Sequence, residues 1–229
     1  MHVPRSTPDS RDLWLSAAIA VALAFAWQTE FVTPLKILIV FFHEASHLLT
    51  ALATGGEVLE MRIEPMQGGS VLSRGGWPFL IASAGYLGSL LIGAALLLLA
   101  TFTRADRWIM GGLALLVAWL SLMYIKGSYG LLFGYATAAI MGTCAWLAPH
   151  RANDVLLRVV GLVSLAYVPL DIWSDTLARS HLLSDARILA NLYGGGTWLW
   201  GSLWLAISVV VVAWTLHRCV RAPPRHGAL

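Results

Sequence analysis

Charge is scarce in this sequence. Asp, Glu, Lys and Arg make up 12% of its 229 residues, where ordinary soluble domains carry about 25%. A soluble surface needs such residues to stay dispersed, so this scarcity excludes a water-soluble fold of this size. Hydrophobic residues reach 58% and the mean hydropathy is +0.73, which makes lipid the solvent for most of the surface. Cysteine is nearly absent: Cys144 lies in an apolar run and Cys219 near the C-terminus. Two isolated thiols exclude a disulfide framework and a cysteine-rich zinc site, and they read as packing residues. The net charge of +3 is what Arg and Lys beside membrane spans produce, and it gives no case for a nucleic-acid partner. Repeats and low-complexity tracts are also lacking. A single membrane-embedded domain over residues 1–229 is expected, in an integral protein of the cell membrane.

What the chain does have is a series of long apolar runs. A helix crossing ~30 Å of hydrocarbon at 1.5 Å per residue needs about 20 residues. Residues 13–28, 33–53, 77–102, 108–125, 129–148, 155–173 and 197–217 give six or seven spans, an all-α polytopic membrane fold. The first run follows Arg5 and Arg11 as a signal peptide would. No small-residue cleavage site is obvious after Trp27, and a retained span is expected. Residues 57–75 are too polar to span: Val58, Glu60, Arg62 and Glu64 alternate with Leu59, Met61 and Ile63 before Gly68-Gly69, which predicts a small β-hairpin after the second span. Residues 174–196 form a polar connector with a short helix over Asp185 to Tyr193. The positive-inside rule leaves orientation open. Arg62 and Arg74 favour the cytoplasm, and so does the tail from Arg218 to Arg225, which requires an even number of spans between them.

The second run carries His43-Glu44-Ala45-Ser46-His47. On a helix, residues four apart project from one face about one turn apart, so two imidazoles can reach one zinc ion at ~2.0–2.1 Å. Glu44 can then act as general base on a zinc-activated water. Location sharpens the signal, since charged groups in a membrane helix cost at least ~2.5–3.5 kcal/mol and default to a function. The bland alternative is a polar face packed against other helices, with nothing to offset its desolvation.

A catalytic zinc of this kind takes a third protein ligand. Ala53 stands where the extended motif would place another His. Glu64 lies in the hairpin beside Pro65 and is a minor candidate. Asp171, Asp175 and Asp185 remain. Asp171 closes the run Leu165 to Leu170, and a helix interrupted near Pro169 can turn a carboxylate inward. Asp171 is therefore the expected ligand and Asp175 the reserve, while Asp185 reads as the N-terminal cap of the short helix.

With HExxH in the second apolar helix and Pro169-Leu170-Asp171 in a later one, the chain resembles the site-2 protease family of intramembrane zinc metallopeptidases. The resemblance covers about residues 33–175 and implies that His43, His47 and Asp171 bind zinc while Glu44 activates water. It also implies that the hairpin guides substrate. Ala84-Gly85-Tyr86-Leu87-Gly88-Ser89 is similar to the family's Ala-Gly-Pro-x-x-Asn segment, with Tyr86 in place of Pro and Ser89 in place of the Asn that helps hold substrate. Ile172 replaces the Gly after the ligand Asp, and no PDZ-like insert follows the hairpin, which describes a short, divergent branch. Gly85 and Gly88 also read as a close helix–helix contact.

These readings predict a zinc metallopeptidase acting on a membrane-spanning or membrane-associated protein or peptide. Met61 and Val71 on the hairpin and Ser89 are the expected substrate contacts, and the lipid bilayer is the other partner. Two rival classes remain. One is a transporter or scaffold that keeps a metal site, with Asp171, Asp175 and His181 on an ion path. The other is a zinc hydrolase of lipids or small amides.

Overall fold

The computed structural model describes residues 10–181 and 183–222, with side chains from Trp14 onward; Arg5 and Arg225 lie outside the described residues. The elements are α1 (Ser10–Ala26), α2 (Thr33–Ala53), β1 (Glu57–Ile63), β2 (Gly69–Arg74), α3 (Pro78–Phe102), α4 (Asp106–Met123), α5 (Ser128–Leu147), α6 (His150–Ile172), α7 (Asp185–Tyr193) and α8 (Thr197–Val220). A π-helical turn, Trp173–Ala178, continues α6. The expected all-α polytopic fold with one hairpin is what the chain adopts.

Prolines open the two helices nearest the site. Pro34 and Pro78 sit in the first turns of α2 and α3, where a missing N–H costs nothing. Gly55 ends α2 with φ +81°, a conformation that favours glycine. α2 and α3 run antiparallel, and α3 is antiparallel to α6. Small residues allow the α3–α6 approach: a Cβ on Gly161 would come within 2.9 Å of the Gly93 carbonyl oxygen.

Among the described residues, six helices are long and apolar enough to cross a membrane: α2, α3, α4, α5, α6 with its π turn, and α8. α1 is not a separate seventh crossing. Its Ser16 accepts from Arg158 at 3.0 Å, and Trp27 just beyond its end packs on Tyr167, so α1 runs alongside α6 in the same direction as α2. Two successive full crossings in one direction would need a connector returning across ~30 Å, and residues 27–32 reach at most roughly 20–25 Å. Lys36 holds this connector, donating to the Trp27 carbonyl at 2.8 Å.

The two basic clusters used for orientation lie at opposite ends of the bundle. The hairpin with Arg62 and Arg74 sits at the start of α3, whereas Arg218 stacks over Phe102 at its end. Near that second end, buried Arg158 pairs with Asp154 at 2.9 Å and donates to the Ala100 carbonyl at 3.1 Å. Carboxylate, carbonyl and hydroxyl groups replace the water that this buried guanidinium gives up.

Candidate metal centre

His43 and His47 face α3 from the middle of α2. The His47 Nδ1–H donates to the Ile81 carbonyl oxygen at 2.6 Å. Because a carbonyl can only accept, this bond places the ring proton on Nδ1 and leaves a lone pair on Nε2. That Nε2 lies 3.0 Å from His43 Nε2 and 3.2 Å from Asp185 Oδ2, and His43 Nε2 lies 3.1 Å from the same Oδ2. The three atoms form a nearly equilateral triangle. Lone pairs of a neutral imidazole and a carboxylate repel at this separation unless a cation or proton stands among them. Bonds of ~2.0–2.1 Å to a tetrahedral zinc ion would set ligand atoms ~3.3 Å apart, so the donor set and its spacing fit the metal. Among the described residues, His43, His47 and Asp185 are the group of potential ligands that converges in this way.

The carboxylate that converges on the two imidazoles is thus that of Asp185, not of the expected Asp171. α6 does not break at Pro169 but stays helical through it. Asp171 therefore remains on its own helix face, one turn from Tyr167. It lines the same cavity without reaching the imidazoles. Asp175 accepts from the Tyr86 hydroxyl at 3.1 Å and pairs with Arg179. Glu64 is exposed on the hairpin turn, and His181 is exposed as well.

The cap assignment is corrected with it. Ser184 caps α7 by accepting from the Arg187 backbone N–H at 3.3 Å, which frees Asp185 to point inward. Burial alone would push the Asp185 carboxyl up. The positive charge of a proton or cation at His47, and then at His43, outweighs it and holds the carboxyl below the usual carboxylate range.

Glu44 is buried beside the two histidines, against the first residue of β2. A Cβ added to Gly69 would lie 2.6 Å from Glu44 Oε1. Tyr86, where the resemblance expected Pro, sets its ring edge-on to His43 with centroids 4.6 Å apart. A cavity of about 680 Å³ opens over His43, Glu44 and His47, walled by Gly69 to Ser73, Tyr86, Asp171 and the start of α7.

A family model described as Peptidase M50B-like matches residues 16–215. The chain belongs to this family. The match covers most of the sequence and bears out the resemblance to the site-2 proteases, a metallopeptidase family. No curated protein and no solved structure matches the chain.

The three expected substrate contacts divide. Val71 lines the cavity. Met61 is fully buried in the core, and its backbone edge is also taken: its N–H donates to Tyr124 and its carbonyl accepts from Lys126, both at 2.9 Å. Ser89 is also fully buried. Its hydroxyl donates to the Gly85 carbonyl at 2.9 Å, as a serine within a membrane helix commonly does.

The hairpin itself is antiparallel, with Met61 opposite Val71 and Ile63 opposite Gly69. Since Met61 bonds to residues 124 and 126, Met61–Val71 is a non-hydrogen-bonded pair, and the Val71 N–H and C=O face away from β1. The Glu64 N–H bond to the Gly68 carbonyl, 2.8 Å, gives Gly69 the same outward orientation. Among the described residues no further strand pairs with this outer edge of β2.

Proposed function

We propose that this protein is an intramembrane zinc metallopeptidase that hydrolyses peptide bonds in membrane-spanning or membrane-associated substrates. The observation that carries this reading is the Nε2, Nε2, Oδ2 triangle beside a buried glutamate, in a chain of the M50B-like family. His43, His47 and Asp185 would hold the ion. When bound, zinc supplies Lewis-acid polarisation of a carbonyl and lowers the pKa of a water toward ~7.

The remaining chemistry belongs to the chain. Glu44 follows a ligand on the same helix, where its carboxylate takes the proton of the attacking water and passes it to the leaving amine. Ile81 keeps the His47 proton on Nδ1, so Nε2 is available as a donor. A helical substrate shields its carbonyls with its own hydrogen bonds and must be extended before attack. The outward N–H and C=O groups of Gly69 and Val71 provide a strand edge for that, next to Glu44. Burial of the site among α2, α3, α6 and α7 limits water to what the cavity admits.

The test is cleavage of a fluorescently labelled transmembrane peptide by purified protein in detergent or nanodiscs. Turnover abolished by a chelator and restored by Zn²⁺ supports the proposal. A metal-loaded protein that cleaves no peptide while hydrolysing a lipid ester or small amide would move it to the other hydrolase class.

A further inference from the structure

Gly85 and Gly88 lie on the same face of α3, and both meet α2, but what they make room for differs. A Cβ built on Gly88 would overlap the Cβ and Oγ of Ser46. That Cβ is fixed to the α2 backbone, so the clash could be relieved only by moving the helices apart. Gly88 is a packing glycine.

At Gly85 the three atoms nearest a built Cβ all belong to side chains. Its nearest neighbours are His43 Nε2 and His47 Nε2, from which it is equidistant, and then His43 Cε1. It would stand beside two of the three donor atoms, in the space that any ion held by both imidazoles requires. We infer that Gly85 is a positioning residue that reserves the metal's place, and that a single added methyl group there excludes the ion. The inference rests on the metal centre proposed above.

The two clashes have different consequences. The obstructing atoms at Gly85 are the tips of two imidazoles, which can rotate away at small cost. Gly85→Ala should therefore fold, with its ligands displaced. Rotation of His47 would also break its bond to the Ile81 carbonyl, removing the second interaction that orients the ring. Alanine is the better helix former, so helix propensity favours the substitution.

The experiment compares wild type, Gly85→Ala and Gly88→Ala, each purified from zinc-supplemented medium, by elemental analysis and by thermal unfolding after chelation. Gly85→Ala should carry at least about 10-fold less zinc per folded chain than wild type. Its chelated form should unfold no earlier than chelated wild type. Gly88→Ala should keep zinc in whatever fraction folds and unfold at lower temperature. Wild-type zinc content in Gly85→Ala overturns the inference alone, and so does a Gly85→Ala protein that loses zinc only together with its fold. A wild type that takes up no zinc overturns the metal centre and this inference together.

Discussion

Gly69, the first residue of β2, lies so close to the Glu44 carboxylate that a single methyl group would not fit between them. This approach couples the hairpin to the general base, and it makes Gly69→Ala a sharp substitution. The added Cβ must displace the Glu44 side chain or lift β2. We expect turnover of a peptide substrate to fall by about 10²-fold, as misplacements near 1 Å commonly cause, while zinc content stays at the wild-type level. Steady-state kinetics beside elemental analysis checks both parts.

Glu44→Gln keeps the shape of the side chain and removes its ability to take a proton. Cleavage should drop by ~10²–10⁴-fold, with zinc retained and thermal unfolding unchanged or raised, because a buried charge has been removed. Normal turnover by this variant would place the base elsewhere.

The outward register of β2 yields a paired test. Val71→Pro removes an N–H that faces the open edge, a position where proline is tolerated. It should lower cleavage by about 10-fold, the equivalent of one lost hydrogen bond, without loss of the fold. Ser70→Pro removes an N–H directed at Arg62 of β1 and should unravel the hairpin. Equal effects from the two, measured by cleavage and hydrogen exchange, would contradict the register.

Far from the site, Arg158→Ala should leave Asp154 buried without its guanidinium. Stability should fall by ~3–5 kcal/mol, read by thermal or denaturant unfolding in detergent, with the zinc content of the folded fraction unaffected.

Much of this was legible in the residues. Apart from the first run, which forms the short α1, apolar run length gave the spans to within a few positions, alternation around Gly68-Gly69 gave the hairpin, and the i,i+4 histidines gave two of the three converging groups. The third failed for a definite reason. Pro169 suggested a broken helix, but in a membrane helix neighbouring groups re-satisfy the freed backbone, and α6 continues into a π turn instead. The signal that pointed to Asp185 was its neighbour. Ser184 and Asp185 are two consecutive residues able to cap α7, only one can do so, and the other is left with a carboxylate to place. Met61 and Ser89 failed because alternation and motif position do not reveal which side of a strand or helix is already covered. Here residues 124–126 cover one edge of β1, and Ser89 bonds to its own helix.

The most direct test of the account is the zinc content of three purified proteins: wild type, Asp185→Ala and Asp171→Ala. Wild type should hold about one zinc per chain, Asp171→Ala the same, and Asp185→Ala at least about 10-fold less. Zinc retained by Asp185→Ala and lost from Asp171→Ala would contradict it.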